Sequence, residues 1–412
     1  MSQIYGVDGS ASSVDGGNQP QIRQEFYDKK AIIDIKDEMI FSQMSSTVGM
    51  PKHFGKEIVK HRYVPLIDDE NINSQGLGTD GAVIANGNLY GSSRDIGAIE
   101  GALPELSETG GRVNRVGFTR KEVRAKIVNR GFFYEWTKDS MNFDTDAQLK
   151  QHLTTEAARG ANRVNEDVLA IELVNGAGVV YYAGTTGLDE DTSDANTDEL
   201  ATIDETSVPT LRDLIRIDTE LDNNKCPRDT KIITGSTMVD TKTVAAARYM
   251  FISPDVKMDF MSIKALNGVD DAFIPIEQYQ GASGNAKFVK TIHGEIGKVG
   301  PFRIVVAPKM VKRAGAGAEA TDASFRATDV GGTDHYDVYP CLVIGSESFT
   351  HIGFEMGAGT AGKFKTKTKT PDQNVSSQDP YGKTGFTSIE FWNGVLIERP
   401  EWIVAYNIAS KY

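Results

Sequence analysis

Gly357-Ala-Gly-Thr-Ala-Gly-Lys363 is the stretch of this chain that comes nearest to a chemical motif. It reproduces the first seven positions of the G-x-x-x-x-G-K loop, whose backbone amides cradle phosphates. The eighth position is Phe364, so the hydroxyl that would hold Mg²⁺ is missing. The following KFKTKTKTP alternates like a strand, whereas a phosphate loop opens a helix whose N-terminal amides complete the site. A nucleotide-binding enzyme is therefore kept only as an alternative, to be tested by titration with ATP. The same run sets Lys363, Lys365, Lys367 and Lys369 on one strand face. That row suits electrostatic contact with DNA or an acidic neighbour, or a plain solvated face.

Other reactive residue types do not converge. The six histidines, His53, His61, His152, His293, His335 and His351, form no H-E-x-x-H and no close pair at metal spacing. The acidic loop 188–199, with Asp189, Glu190, Asp191, Asp194, Asp198 and Glu199, lacks the D-x-D-x-D-G order and closing Glu of a calcium loop. No G-x-S-x-G elbow occurs, and Cys226 and Cys341 stand far apart, outside any catalytic context. Asp68-Asp69, beside Glu70 and Asn71, reads as a solvated turn. No catalytic, metal or cofactor site is expected, and no nucleophile, base and orienting group can be assembled.

The elements that would position any such residues are legible in part. Residues 1–22 read as a Gly/Ser/Asp/Gln-rich arm. A helix is expected over FYDKKAIIDIKDEMIFSQM, with Phe26, Ile32, Ile33, Met39, Ile40 and Met44 as its apolar stripe and Gly49 and Pro51 as its stop. Strand-like IVKHRYVPL and RVNRVGFTRKEVRAKIV bracket some 45 residues rich in Gly, Asn, Ser and Asp. In the returning leg Glu122, Arg124 and Lys126 alternate with Val123, Ala125 and Ile127. Segment 58–120 is thus expected to be a long β-hairpin that cannot bury a core of its own and seeks its partner on another molecule. Its charged positions Asp68, Asp69, Arg94, Arg112 and Arg115 are the expected inter-subunit contacts.

A helix is expected over 145–175, capped by Asp144 or Thr145 and ended by a left-handed Asn175-Gly176 stop. Leu149, Leu153, Ala157, Ala161, Val164, Val168 and Ile171 would form its buried face. Residues 206–369 then alternate helix and strand, with helices at PTLRDLIRIDTELDNN and TMVDTKTVAAARYM and strands at TKIITGS, PFRIVVAPKM and CLVIGSESFTHIGF. Strands return in TSIEFWNGVLIERPEWIVAYNIA, and no repeat of fixed period is visible.

Length and charge narrow the function classes. The 412 residues, 39% hydrophobic and 25% charged, suit two or three soluble domains with a large core. No apolar run approaches the roughly 20 residues that span a bilayer, and the opening MSQIYGVDGSASSVDGG lacks the pattern of a signal peptide. Two distant cysteines fit a reducing cytoplasm. The net charge of −13 is the reverse of what binding by counterion release requires, so contact with DNA is expected to be weak and non-specific.

Long collinear blocks carry a resemblance. MPKHFGKEIVKHRYVPLIDDENINSQG, NGNLYGSSRDIG, LPELSETGGRVNRVGFTRKEV, RGFFYEWTKDSMNFDTDAQL, RGANRVNEDVL, Leu221-Asp-Asn-Asn-Lys225, KIITGSTMVDTKTV, AFIPIEQY and GEIGKVGPFRIVVAPKM resemble the major capsid protein family of schitovirus-type podoviruses, over about residues 25 to 315. The resemblance implies an α+β, HK97-like fold. Its parts would be an N-terminal arm (1–57), an E-loop hairpin (58–120), a P domain with a spine helix (121–205 and 370–412) and an A domain (206–369). It further implies a homo-oligomer of hexamers and pentamers that tile an icosahedral virion shell around double-stranded DNA. Assembly would take place in the host bacterial cytoplasm with a portal and with cement or scaffolding proteins, and no membrane is involved. An encapsulin-like compartment shell shares the fold and stays as a second alternative. Some relatives lock their shells through an E-loop lysine, yet no lysine occurs from His61 to Arg120.

Overall fold

Short apolar runs broken by glycine and proline favour strands over long helices, and the computed structural model is correspondingly strand-rich. It describes residues 12–14, 17–19, 40–50, 55–64, 95–100, 103, 108, 120–143, 149–184, 189–190, 197–228, 246–277, 292–354, 365–375 and 379–411. Ser12–Val14 (β1) and Gly17–Gln19 (β2) pair antiparallel. After a short 3₁₀ turn, Phe41–Gln43, come strands Ser46–Met50 (β3) and Glu57–Tyr63 (β4) and helix Ile96–Glu100 (α1). Arg120–Lys126 (β5), Val128–Thr137 (β6), Lys138–Phe143 (α2) and Leu149–Asn175 (α3) follow, then Val179–Tyr182 (β7) and Asp189–Glu190 (β8). Leu211–Asn223 (α4), Arg248–Ile252 (β9), Lys257–Met261 (α5) and Phe273–Pro275 (β10) lead to the hairpin of Glu295–Val299 (β11) and Phe302–Val306 (β12). The chain closes with Ala327–Val330 (β13), Thr333–Tyr336 (β14), Tyr339–Ile344 (β15), Phe349–Phe354 (β16), Lys365–Lys369 (β17), Thr384–Ile397 (β18) and Ile403–Ile408 (β19).

The chain divides into two units. The larger comprises Asp37–Phe132, Arg159–Thr366 and Ile389–Tyr412. Its centre is a mixed eight-stranded sheet of order β10-β11-β12-β9-β15-β19-β7-β8. The middle strands β9, β15 and β19 are buried at every position, as a sheet covered on both faces requires. On one face Met250, Ile252, Ile304, Val343 and Val404 pack with Leu214, Ile217 and Leu221 of α4 and Phe260 of α5. On the other, Tyr249, Phe251, Val305 and Leu342 pack with Leu169, Ala170, Leu173 and Val174 of α3 and with Ile40 and Phe41. Also in this unit, β16 pairs antiparallel with the end of β18 and parallel with β3. The smaller unit comprises Met1–Lys36, Phe133–Ala158 and Lys367–Ser388. There the buried Trp136 ring lies so close to Gly385 that a Cβ on the glycine would come within 2.9 Å of it.

Several expectations are corrected. The helix expected through Met44 does not reach it: residues 41–43 form a 3₁₀ turn, and Ser46–Met50 is a strand held by parallel pairing to β16. The Tyr249-Met250 end of the expected helix TMVDTKTVAAARYM belongs to strand β9, because this run sits between β12 and β15 and is buried on both sides. A short helix, α1, stands within the insert read as loop. Gly176 is not left-handed. A Cβ there would lie 2.0 Å from Ile397 Cδ1, so close packing rather than handedness demands glycine.

The buried face of α3 was only half right. Ala157 and Ala161 are buried, but the stripe then passes to Asn165, Glu166, Leu169, Ala170, Leu173 and Val174, and Ile171 is 47% exposed. A helix of 3.6 residues per turn drifts away from a strict three-or-four stepping when long, and α3 runs about 40 Å. The caps proposed at Asp144 and Thr145 lie outside the described residues, as does the helix expected over 26–39.

Candidate functional site

β4 and β5 form a seven-pair antiparallel ladder from Glu57↔Lys126 to Tyr63↔Arg120. Because side chains alternate, the two faces differ sharply. Inward, Ile58, Val123 and Ala125 pack with Trp392 over Ile127, Ile352 and Leu396. Outward stand Val59, 40% exposed, and Tyr63, 65% exposed, amid charged side chains.

The inner face also carries two cations that tie the ladder to the turn after β18. Lys60 Nζ donates to Glu398 and, at 3.3 Å, to Thr350 Oγ1, whose hydroxyl donates to the same carboxylate. Arg62 Nη1 lies 2.6 Å from Glu401 Oε1. The turn is itself held, since the Glu398 and Arg399 amides both donate to Ser348 O at 2.9 and 3.1 Å. The Arg399 guanidinium stacks 3.9 Å over the Trp402 ring. A polar cleft of about 300 Å³ opens here, lined by Lys60, His61, Arg62, Tyr63, Glu398 and Arg399.

On the outer face one carboxylate gathers several side chains. Glu122 lies 2.9 Å from Arg124, 3.5 Å from Arg120 and 3.8 Å from His61. The hydrogen bond from Arg124 holds the Glu122 carboxyl below its usual range. Among the described residues no group of three or more His, Cys, Asp and Glu is arranged to hold a metal. Among them, too, no helix is long and apolar enough to cross a membrane.

The positions singled out in the sequence fare unevenly. Asp68, Asp69, Arg94, Arg112 and Arg115 lie outside the described residues, as do Lys363 and the glycine loop 357–362. Lys365, Lys367 and Lys369 do alternate along strand β17, with Lys367 and Lys369 exposed. Cys226 and Cys341 are buried and not joined in a disulfide. The clamp partners Lys60, Arg62, Glu398 and Glu401 were not foreseen. Alternation in IVKHRYV could have flagged Lys60 and Arg62 as facing inward with Ile58, but nothing local marks the two glutamates.

The profile of the family described as "Phage capsid protein" matches residues 120–389. The chain is 43% identical, over 402 residues, to the major capsid protein of Pseudomonas phage KPP21, covering 97% of this chain and 96% of that one. The chain belongs to the phage major capsid protein family. As a capsid protein it is a structural component of the virion head and not an enzyme, which removes the nucleotide-binding alternative. Its fold is similar to the capsid of Ralstonia phage GP4, with a TM-score of 0.52 at 11% identity, over 97% of this chain and 99% of that one. The fold is the mixed α+β, HK97-like capsid fold expected from the sequence.

Proposed function

We propose that this capsid protein self-assembles into hexamers and pentamers that close an icosahedral shell around double-stranded DNA, and that the phage is of the schitovirus-type podovirus kind. The observation that carries the reading is the two-faced ladder β4–β5. Its inner face is satisfied by the chain's own Ile352, Leu396, Glu398 and Glu401, while Val59 and Tyr63 stand exposed on the outer face among charges. An exposed tyrosine opposite Arg120, with Val59 opposite Arg124, has the composition of a protein–protein contact. The collinear sequence blocks support the podovirus assignment.

In this reading residues 1–57 are the N-terminal arm and 58–120 the E-loop. Residues 121–205 and 370–412 form the P domain with α3 as spine, and 206–369 the A domain. Asp68, Asp69, Arg94, Arg112 and Arg115 contact neighbouring subunits. The row Lys363, Lys365, Lys367 and Lys369 is an electrostatic face towards DNA or an acidic neighbour, and contact of the shell with packaged DNA is weak and non-specific. Portal and cement or scaffolding proteins complete the head, which is built in the bacterial cytoplasm. With no lysine from His61 to Arg120, stability of the shell rests on non-covalent contacts or on a separate cement protein. Many modest contacts acting together suffice for that.

The test is expression of the chain alone and with candidate scaffold, followed by negative-stain electron microscopy. Closed shells or capsomers are expected. Monomers at every concentration, with and without scaffold, would overturn the reading.

A further inference from the structure

The hairpin β13–β14 contains an arrangement that its own fold does not explain. Its register places Asp329 directly opposite Asp334. Like charges facing each other across two strands oppose pairing. Both residues are exposed, and among the described residues no cation forms an ion pair with either of them or with Glu319. Asp329 has a local duty, since its carboxylate accepts the Gly332 amide at 2.8 Å and closes the Gly331-Gly332 turn, where both φ angles are positive. Asp334 has no such duty. Residues 319–336 hold four carboxylates, Glu319, Asp322, Asp329 and Asp334, against one cation, Arg326, which is engaged with Asp255 at 3.1 Å. Val330, 50% exposed, pairs with Thr333 and lies on the opposite face of the hairpin from the aspartates.

The base of the β4–β5 hairpin has the opposite character. On the outer face of the ladder Arg120, Arg124 and Lys126 stand against Glu57 and Glu122, a net of +1 in a chain whose total is −13, while Lys60 and Arg62 are held inward by Glu398 and Glu401. Arg124, its side chain 63% exposed, lies directly opposite Val59. The aspartate pair of one hairpin and the exposed Arg124 of the other are complementary in sign.

We infer that the acidic hairpin β13–β14 of one copy docks on the outer face of the β4–β5 ladder of a second copy, with Arg124 set against the Asp329–Asp334 pair. The two patches differ, so the contact is head-to-tail, the kind that closes rings. A like-charge pair that weakens the isolated subunit becomes favourable once a cation of the neighbour sits against it. Such a local conflict in an otherwise consistent fold is the mark of a functional position. The inference rests on the shell reading given above.

The test uses the full chain in EDTA, so that no divalent ion bridges the aspartates, and counts particles by microscopy across protein and NaCl concentrations. Arg124→Glu and Asp334→Lys are each expected to raise the concentration needed for assembly about tenfold and to flatten its salt dependence. Both substitutions in one chain should restore assembly to within about threefold of the parent. Asp334→Asn should leave the subunit's Tm unchanged or raised while weakening assembly, a split that a merely structural aspartate would not give. Single variants that assemble like the parent, a double variant no better than the worse single, or a fall in Tm for Asp334→Asn would each overturn the contact. If the parent stays monomeric at every concentration, with and without candidate scaffold, the shell reading fails, and this contact fails with it.

Discussion

The carboxylate of Glu166, buried on α3, accepts the backbone amide of Phe41 at 3.0 Å and that of Ser42 at 3.3 Å. The Ser42 hydroxyl donates to the same group. One side chain of the long helix therefore fastens the turn through which the N-terminal segment joins the core, where Phe41 lies 5.2 Å from the Phe251 ring. Glu166→Leu keeps the volume but strips acceptors from a buried backbone donor, at a cost of about 1–3 kcal/mol for each group left unsatisfied. Urea unfolding should show a loss of about 2–3 kcal/mol, with Glu166→Gln intermediate. A loss under about 0.5 kcal/mol would mean that the turn is held by packing alone.

The phase of α3 gives a second test. Leu173 is fully buried against the central sheet, whereas Ile171, two residues earlier, is 47% exposed. Leu173→Ala should cost about 2–5 kcal/mol by loss of transfer energy and creation of a cavity. Ile171→Ala should cost under about 1 kcal/mol. Equal losses in denaturant unfolding would show that the helix is rotated from the orientation described.

Why the sequence revealed the ends of the hairpin and the span of this helix but misplaced part of the helix's buried face has a physical answer. The β4–β5 ladder has one wet face, so Glu122, Arg124 and Lys126 alternate with smaller apolar residues and the period is plain. α3 is flanked on several sides. Val164 and Val168 are half-buried while Asn165 and Glu166 are buried, and a buried carboxylate cannot be told from a surface one without its distant partner, Phe41. β9 was misread as the end of a helix for a related reason. Arg248-Tyr249-Met250-Phe251-Ile252 is buried on both faces and carries no alternation to separate strand from helix. Of the candidate site, the outer cations were legible. The clamp through Glu398 and Glu401 was not, since it depends on residues more than 330 positions away from Lys60 and Arg62. Individual sequence blocks specified the family better than they specified any contact.

Lys298 supplies a pH test. Burial, aided by the nearby positive charges of Arg303 and Arg228, lowers its pKa from 10.5 to about 8. With the folded value below the unfolded one, the folded state gives up its proton first. The stabilisation from this group is complete above pH 10.5 and is lost as pH falls through about 8. At neutral pH the charged, buried amine therefore opposes folding by about 3 kcal/mol. Lys298→Met should be most stabilising relative to the parent at pH 7, and this difference should shrink steadily between pH 8 and 10.5. A difference independent of pH over that range would mean that Lys298 titrates normally.

Tyr63 reports on the central claim, that the outer face of the β4–β5 ladder is completed by another copy of the chain. Its ring is 65% exposed in the subunit. Hydroxyl-radical footprinting read by mass spectrometry, on unassembled protein and on purified shells, should show labelling of Tyr63 fall several-fold on assembly while the buried Tyr339 stays unlabelled in both. Equal labelling of Tyr63 in the two states would contradict the account.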